Sequence, residues 1–500
     1  MKLRIRHLAL LCAVIILGCS PLLRGRGSRY THLSRSADKY LSGVSLRGSS
    51  WSIMAVDLAD GAILLARDQD RSLIPASNLK LLVTACALET LGPEYRIVTT
   101  VGYTGQVDPS GTLNGDLVVI GAGDPSLSSR FADSTDTFSA WADSLLRRGI
   151  HSIKGDLIGY AGLFKGDPLG SGWEWDDLAD WFAAEFSPLT YADDCVEITV
   201  APADSVGKPA LISWSPPGDF AQISGTISTA EAGGAAAISY NRELASNRIT
   251  LWGAIPLGSE AQRRWVTVHH PADFFLEAME QKLRQKGIAF TGTTRVSSSW
   301  QPDYADFKLL FVDLSPPLVN LIRVVNQQSH NLYAELLVRV LGVKAQAADL
   351  WGLRAQEDAF AAGCGRIREW ESKLVGGSTG FVMADGSGLS RRNLACASEL
   401  IKVLVNMNRS PNRWEFINSL ATPGMGMLQG RFAGLPQGIS LRVKTGSLTR
   451  VKALSGYLSL SGQPRIAFSF ICNNYLCPAE EIDQTMESLC QILALYLKEQ

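Results

Sequence analysis

The chain has no excess of charge of either sign. Its 500 residues carry 47 Lys and Arg against 48 Asp and Glu, a formal net charge of −1. A general nucleic-acid binder needs a basic face, so this balance argues against a nucleic-acid partner. Nine cysteines are present, yet none lies with histidine at zinc-ligand spacing, and neither a metal nor another cofactor is expected. Internal repeats are missing. Beyond one short N-terminal run there is no long apolar stretch. What is there is a globular composition, 46% hydrophobic and 19% charged, unlike that of a disordered chain. At roughly 150 residues per domain, the length corresponds to about three domains.

The single apolar run reads as an address. Lys2, Arg4 and Arg6 form a positive segment with no acid near it, and residues 8–17 are almost wholly apolar. That run is too short to span a bilayer, so it reads as a secretory signal. It closes on Gly18-Cys19-Ser20, which resembles a bacterial lipobox, whose cysteine becomes the lipidated first residue. An ordinary signal with an incidental cysteine is the alternative. On the first reading residues 1–18 are removed and the protein is periplasmic, anchored to a membrane by lipid on Cys19 without crossing it. Residues 19–35, rich in Arg, Ser and Gly, read as a tether. The processed chain keeps 44 basic and 48 acidic residues, a net charge of −4. Seven cysteines then remain, so at least one is unpaired within the chain. Cys86 and Cys396 sit in apolar helical patterns and read as buried thiols, while Cys472 and Cys477 are close enough to bridge a short loop.

Residues 53–58 and 63–66 flank Asp60-Gly61 as a β-hairpin. A Pro75-Ala76 turn leads into an apolar helix over 77–91, stopped by Gly92-Pro93. Strands over 98–103 and 117–120 and a helix over 137–148 follow. A tryptophan-rich patch (Trp173, Trp175, Trp181), read as packing anchors, precedes a strand-rich region from 195 to 256. A helix over 272–285 closes the middle section. Leu318, Leu321, Ile322 and Val325 mark an amphipathic helix at i, i+3, i+4, i+7. Helices over 332–341 and after Asn393, three strands over 439–445, 453–460 and 465–471, and a terminal helix complete the pattern.

Three short motifs carry chemistry. A serine at a helix N-terminus with a lysine three residues on places a hydroxyl beside an amine on one face. A neutral lysine there can take the hydroxyl proton. Ser-x-x-Lys occurs as Ser36/Lys39, Ser77/Lys80 and Ser205/Lys208, and only Ser77 opens a strong apolar helix. An ordinary helix N-cap would also explain a serine at that place. Ser-x-Asn occurs at Ser239/Asn241, Ser329/Asn331 and Ser410/Asn412, and only Ser329 and Asn331 sit between two amphipathic helices. His330 between them reads as a solvent or structural histidine. Lys444-Thr445-Gly446 occurs once, ending a strand, with Ser447 following. Such an edge suits an extended peptide with a terminal carboxylate; an exposed strand end with a turn glycine is the bland alternative.

In this order and context, Ser77-x-x-Lys80, Ser329-x-Asn331 and Lys444-Thr445-Gly446 resemble the three signatures of penicillin-binding proteins and serine β-lactamases. The 252 residues between Ser77 and Ser329 exceed what a compact β-lactamase needs. Together with GAGDPSL at 121–127, WEWDDL at 173–178, NLYAELL at 331–337, DGSGLSRRN at 385–393 and VKTGSLTRVKALSGY at 443–457, they make the chain resemble the D-alanyl-D-alanine carboxypeptidase/endopeptidase family of the penicillin-binding protein 4 (DacB) type.

The resemblance implies an α/β (α+β) serine β-lactamase/transpeptidase-like catalytic domain, an antiparallel sheet flanked by helices. Its parts are expected at 36–99 and 311–500, split by an inserted β-rich region over 100–310 that contains two smaller domains, with a β-rich sub-domain at about 190–260. The implied partners are peptidoglycan peptides ending in D-Ala-D-Ala, D-Ala cross-links and β-lactams. The oligomeric state is not implied. In roles, Ser77 would be the nucleophile and Lys80 its base, kept neutral by burial and a nearby Lys444 cation. Asn331 would hold Lys80 and the substrate amide, and Ser329 would relay a proton to the leaving amine. Lys444, Thr445, Gly446 and Ser447 would form the carboxylate-binding edge. The N–H groups of Ser77 and Ser447 would form the oxyanion hole. Asp385 and Ser387 belong either to a loop beside the site or to a plain turn. Two other readings stay open: a serine β-lactamase, and a non-catalytic, lipid-tethered peptidoglycan-binding protein.

Overall fold

The computed structural model describes residues 22–131, 136–299, 306–346, 358–375 and 380–500. The signal and Cys19 lie outside these residues. The chain forms two compact units. One comprises the chain up to Asn78 with Leu394–Ser410 and Leu420–Gln500, and the other Leu79–Asn393 with Pro411–Ser419. The boundary between them falls inside the Ser-x-x-Lys motif.

The first unit is built on a five-stranded antiparallel sheet in the order Ile439–Leu448, Val451–Leu460, Gln463–Asn473, Ser50–Asp57, Ile63–Arg67. The alternation of apolar residues sets which face is covered. Ile53, Leu458, Phe468 and Phe470 turn to a core shared with Leu489 and Leu493 of the terminal helix Ala479–Lys498. Tyr457, on the opposite face, donates to the Leu404 carbonyl of helix Ala397–Arg409 at 2.7 Å. Ser461 and Gly462 join the last two strands with φ of 49° and 78°, the left-handed pair that a tight hairpin requires.

The stretch read as a tether is helical from its fourth residue on, within Leu22–Leu41. Leu33, Ala37 and Leu41 recur at i, i+4, i+8 and enter the same core, a stripe that the surrounding Arg, Ser and Gly conceal. The suggested Cys472–Cys477 bridge does not form. Cys472 points into this core from its strand, Cys477 lies half-buried in the next loop, and all seven described cysteines are free thiols.

In the second unit, helix Lys80–Leu91 is buried along Lys80–Leu88 without a gap. It packs against helices Leu318–Gln327, Asn331–Gln346, Ala359–Val375 and Arg413–Ser419. The Asn326 amide ties two of these contacts, donating to Thr84 Oγ1 at 3.3 Å and Ser419 Oγ at 2.8 Å. A mixed five-stranded sheet (Thr294–Ser297, Leu157–Tyr160, Leu117–Ile120, Val98–Tyr103, Lys308–Leu314) and a small four-stranded one stand on helices Thr137–Arg147 and Pro271–Gln285. Two three-stranded sheets between Cys195 and Thr267 close over a core of their own, with Ile198, Ile227, Ile249 and Leu251 at its centre.

Candidate active site

Lys80 is the first residue of its α-helix and is wholly buried. Its ammonium donates to Asn331 Oδ1 at 2.7 Å and to the Ser387 carbonyl at 2.5 Å. The Asn331 amide nitrogen in turn donates to the Phe182 carbonyl at 2.7 Å, which fixes which end of the amide faces the lysine. Burial lowers the Lys80 pKa from 10.5 to about 7, while the carboxylates of Asp385 and Glu335 pull it back upward. Half of such amines are neutral near pH 7, the condition for accepting a proton from a hydroxyl.

Asn331 opens its helix two residues after Ser329, which adopts the left-handed conformation (φ 57°) at the break between two helices. His330 is fully buried, the structural rather than the solvent histidine of the two readings. Its Nε2 lies 3.4 Å from Asp193 Oδ1, and its ring meets Phe131, Trp181 and Tyr333. Burial pushes its pKa down, so it stands as a neutral packing element.

The loop 385–393 is a hydrogen-bonded knot. Asp385 accepts from the N–H groups of Gly388 (2.8 Å) and Ser390 (2.5 Å), from the Asn393 amide (2.7 Å) and from the Trp173 indole (2.9 Å). Asp385 therefore shapes the loop, and Ser387 meets Lys80 through its main-chain carbonyl while its hydroxyl accepts from the Leu389 N–H at 3.3 Å. Glu335 accepts the N–H groups of Gly386 and Ser387 and was not singled out from sequence, although it lies within the NLYAELL segment. Of the tryptophans, Trp173 and Trp181 pack as expected, but Trp175 is 73% exposed and anchors nothing.

The first unit carries Ser77 and the Lys444-Thr445-Gly446 motif. Ser77 lies inside a single 3₁₀ turn, Ala76–Leu79, entered through Ala76 at φ 46°. It is not the N-cap of the α-helix; Leu79 holds that position. Lys444, Thr445, Gly446 and Ser447 lie within the edge strand, paired with Ser455, Leu454, Ala453 and Lys452. Lys444 is fully buried and donates to the Thr445 carbonyl at 2.7 Å, so the segment is not an exposed strand end. A Cβ on Gly446 would stand 3.1 Å from the Ser77 nitrogen and 3.0 Å from the Pro75 carbonyl, so any larger residue would press the strand and the serine turn apart by a few tenths of an ångström. Asn78 clamps the two together. With its amide nitrogen toward the strand it donates to the Lys444 carbonyl at 2.9 Å, and its oxygen accepts the Ser455 N–H at 3.3 Å.

The remaining copies of the short motifs are ordinary. Lys208 pairs with Asp204 at 2.8 Å on the surface, and the Asn412 amide donates to Glu89 at 3.3 Å.

The model of the D-Ala-D-Ala carboxypeptidase 3 (S13) family matches residues 33–495. The chain belongs to that family. A D-alanyl-D-alanine carboxypeptidase of Actinomadura sp. (strain R39) is 30% identical over 482 residues, 94% of this chain and 86% of the relative. The crystal structure of penicillin binding protein 4 (dacB) from Haemophilus influenzae superposes with a TM-score of 0.75 at 23% identity, over 92% of this chain and 99% of that one. A second structure of that protein, complexed with a β-lactam, gives 0.71 at 21% identity, over 92% and 99% of the two chains. The S13 chain thus has the penicillin-binding protein 4 fold, and it is a D-Ala-D-Ala peptidase.

Proposed function

We propose that this S13 peptidase acts on peptidoglycan stem peptides and cross-links through an acyl-enzyme on Ser77. The observation that carries the reading is the buried Lys80 amine, lowered to about 7 and held by Asn331 and the Ser387 carbonyl, three residues beyond Ser77. Ser77 Oγ attacks the carbonyl carbon between two D-alanines, and its proton passes to Lys80. The N–H groups of Ser77 and Ser447 stabilise the oxyanion. As the C–N bond breaks, Ser329 gives its hydroxyl proton to the leaving amine and takes the proton held on Lys80 in its place. Lys444, Thr445 and Ser447, along the strand edge that Gly446 keeps close to the serine turn, hold the terminal carboxylate. Water then attacks the ester and releases the shortened peptide. A β-lactam presents the same carboxylate and a strained amide, and acylates Ser77 in the same way, with slow release. Lipid on Cys19 holds the enzyme at a membrane facing the wall.

Labelling with a fluorescent penicillin tests the reading. Wild type takes one label and Ser77→Ala none. Equal labelling of both proteins would rule out Ser77 as the nucleophile.

A further inference from the structure

One buried ion pair in the second unit has no part in the chemistry above, yet it stands one bond network away from it. Glu335 lies one helical turn after Asn331 on helix Asn331–Gln346 and is fully buried. A carboxylate in that position is costly unless every oxygen is engaged. Oε1 accepts both loop N–H groups, Gly386 at 2.8 Å and Ser387 at 2.9 Å. Oε2 accepts from Arg339 Nη1 at 3.1 Å, one turn further along. Arg339 is itself buried, its guanidinium 3.5 Å above the Phe186 ring and 5.1 Å from that of Phe360. The two oxygens thus have separate tasks: one grips the loop, the other is gripped by the arginine.

The gripped loop presents the acceptor to the proposed base. The peptide whose N–H points to Glu335 belongs to Ser387, and the carbonyl of that same residue receives the Lys80 ammonium at 2.5 Å. Gly386 is confined here as well, since a Cβ on it would meet Val338 Cγ2 at 2.6 Å and Glu335 Oε2 at 3.4 Å. Helix Asn331–Gln346 therefore reaches Lys80 by two routes, directly through Asn331 and indirectly through Glu335 and the loop.

We propose that Glu335, held in place by Arg339, is a positioning residue for Lys80, fixing through the N–H groups of Gly386 and Ser387 the carbonyl on which the lysine amine is aimed. The inference rests on the reading of Lys80 as base to Ser77. Proton transfer demands alignment to within a fraction of an ångström, so a shifted carbonyl slows acylation without weakening the initial binding of the acylating molecule. Burial and Asp385 push the Glu335 carboxyl upward, while Arg339 and Ser387 draw it down, consistent with a site tied into the same local charge set.

The test separates the gripping oxygen from the charge. The double variant E335Q/R339M keeps an acceptor oxygen for both N–H groups and removes the ion pair. The double variant E335M/R339M removes the acceptor as well. Stopped-flow acylation by a fluorescent penicillin gives the limiting rate and the apparent dissociation constant separately. The expected limiting rate is within about threefold of wild type for E335Q/R339M and at least about tenfold lower for E335M/R339M, with little change in apparent dissociation constant for either. Should the methionine pair fail to fold, Glu335→Asp keeps the charge and withdraws the oxygen by one methylene, and the same loss confined to the limiting rate is expected. Equal rates for the glutamine and methionine pairs, or a wild-type rate for Glu335→Asp, would overturn the proposal. Ser77→Ala is run alongside. If it labels like wild type, the nucleophile reading falls and this inference falls with it; if it is silent while the Glu335 variants are unaffected, only the role of Glu335 is lost.

Discussion

Lys80 joins two properties that pull apart, full burial and an ionisable amine. Its pKa is lowered in the folded chain, so between about 7 and 10.5 the unfolded state binds more protons and wild-type stability rises with pH. Below about pH 7 the native state bears the cost of a buried ammonium. Lys80→Met removes that cost, so its stability relative to wild type should be highest near pH 6 and fall as pH rises towards 10. Denaturant midpoints at several pH values check this. The same titration should appear in catalysis, with the acylation rate of wild type rising through about pH 7 as the amine becomes neutral. A flat profile between pH 6 and 8 would be inconsistent with the base role. At Gly446, a methyl group would press on Pro75 and Ser77 at about 3 Å, so Gly446→Ala should lower the acylation rate more than it lowers the melting temperature.

Elements show what sequence can and cannot reveal. The hairpin around Gly61 and the amphipathic helix from Leu318 are legible because their apolar period matches their geometry. Helix Ala359–Val375 is not among the elements read from the sequence, and it carries Gly363 and Gly365, residues that weaken a helix pattern. In the folded chain Gly363 is a contact surface. A Cβ there would fall 2.0 Å from the Val338 carbonyl, and one on Gly342 would fall 1.9 Å from that of Ala359. Two helices approach at backbone distance, a demand that arises only once both exist. The motif lysines and Asn331 can be singled out from sequence because residue type and order survive without geometry; Asn78 and Glu335 cannot, because their value lies in main-chain partners distant in sequence. Asn78→Ala leaves the Lys444 carbonyl without its amide and should cost about 1–3 kcal/mol, measurable by denaturant unfolding.

On the scale of the whole molecule, the fold class and the family could be read from three motifs spread over Ser77 to Gly446 together with the length that separates the first two. The grouping of the chain could not. The unit boundary runs between Asn78 and Leu79, just after the Pro75-Ala76 turn, which from sequence marks only the start of a helix. Helix Leu22–Leu41 was equally hidden, its buried stripe appearing only against a core contributed by the far end of the sequence. With all seven described cysteines unpaired, reducing agent should leave the melting temperature unchanged.

The distribution of those thiols has a practical side. Six are buried, and Cys477 alone is half-exposed, in the loop before the terminal helix. Its pKa is raised mainly by partial burial, so mildly alkaline conditions favour its reaction. Among the described cysteines, the native sequence therefore offers one address for a maleimide dye, far along the chain from Ser77, Lys80 and Asn331, and tryptic mapping would show that peptide modified before the other six.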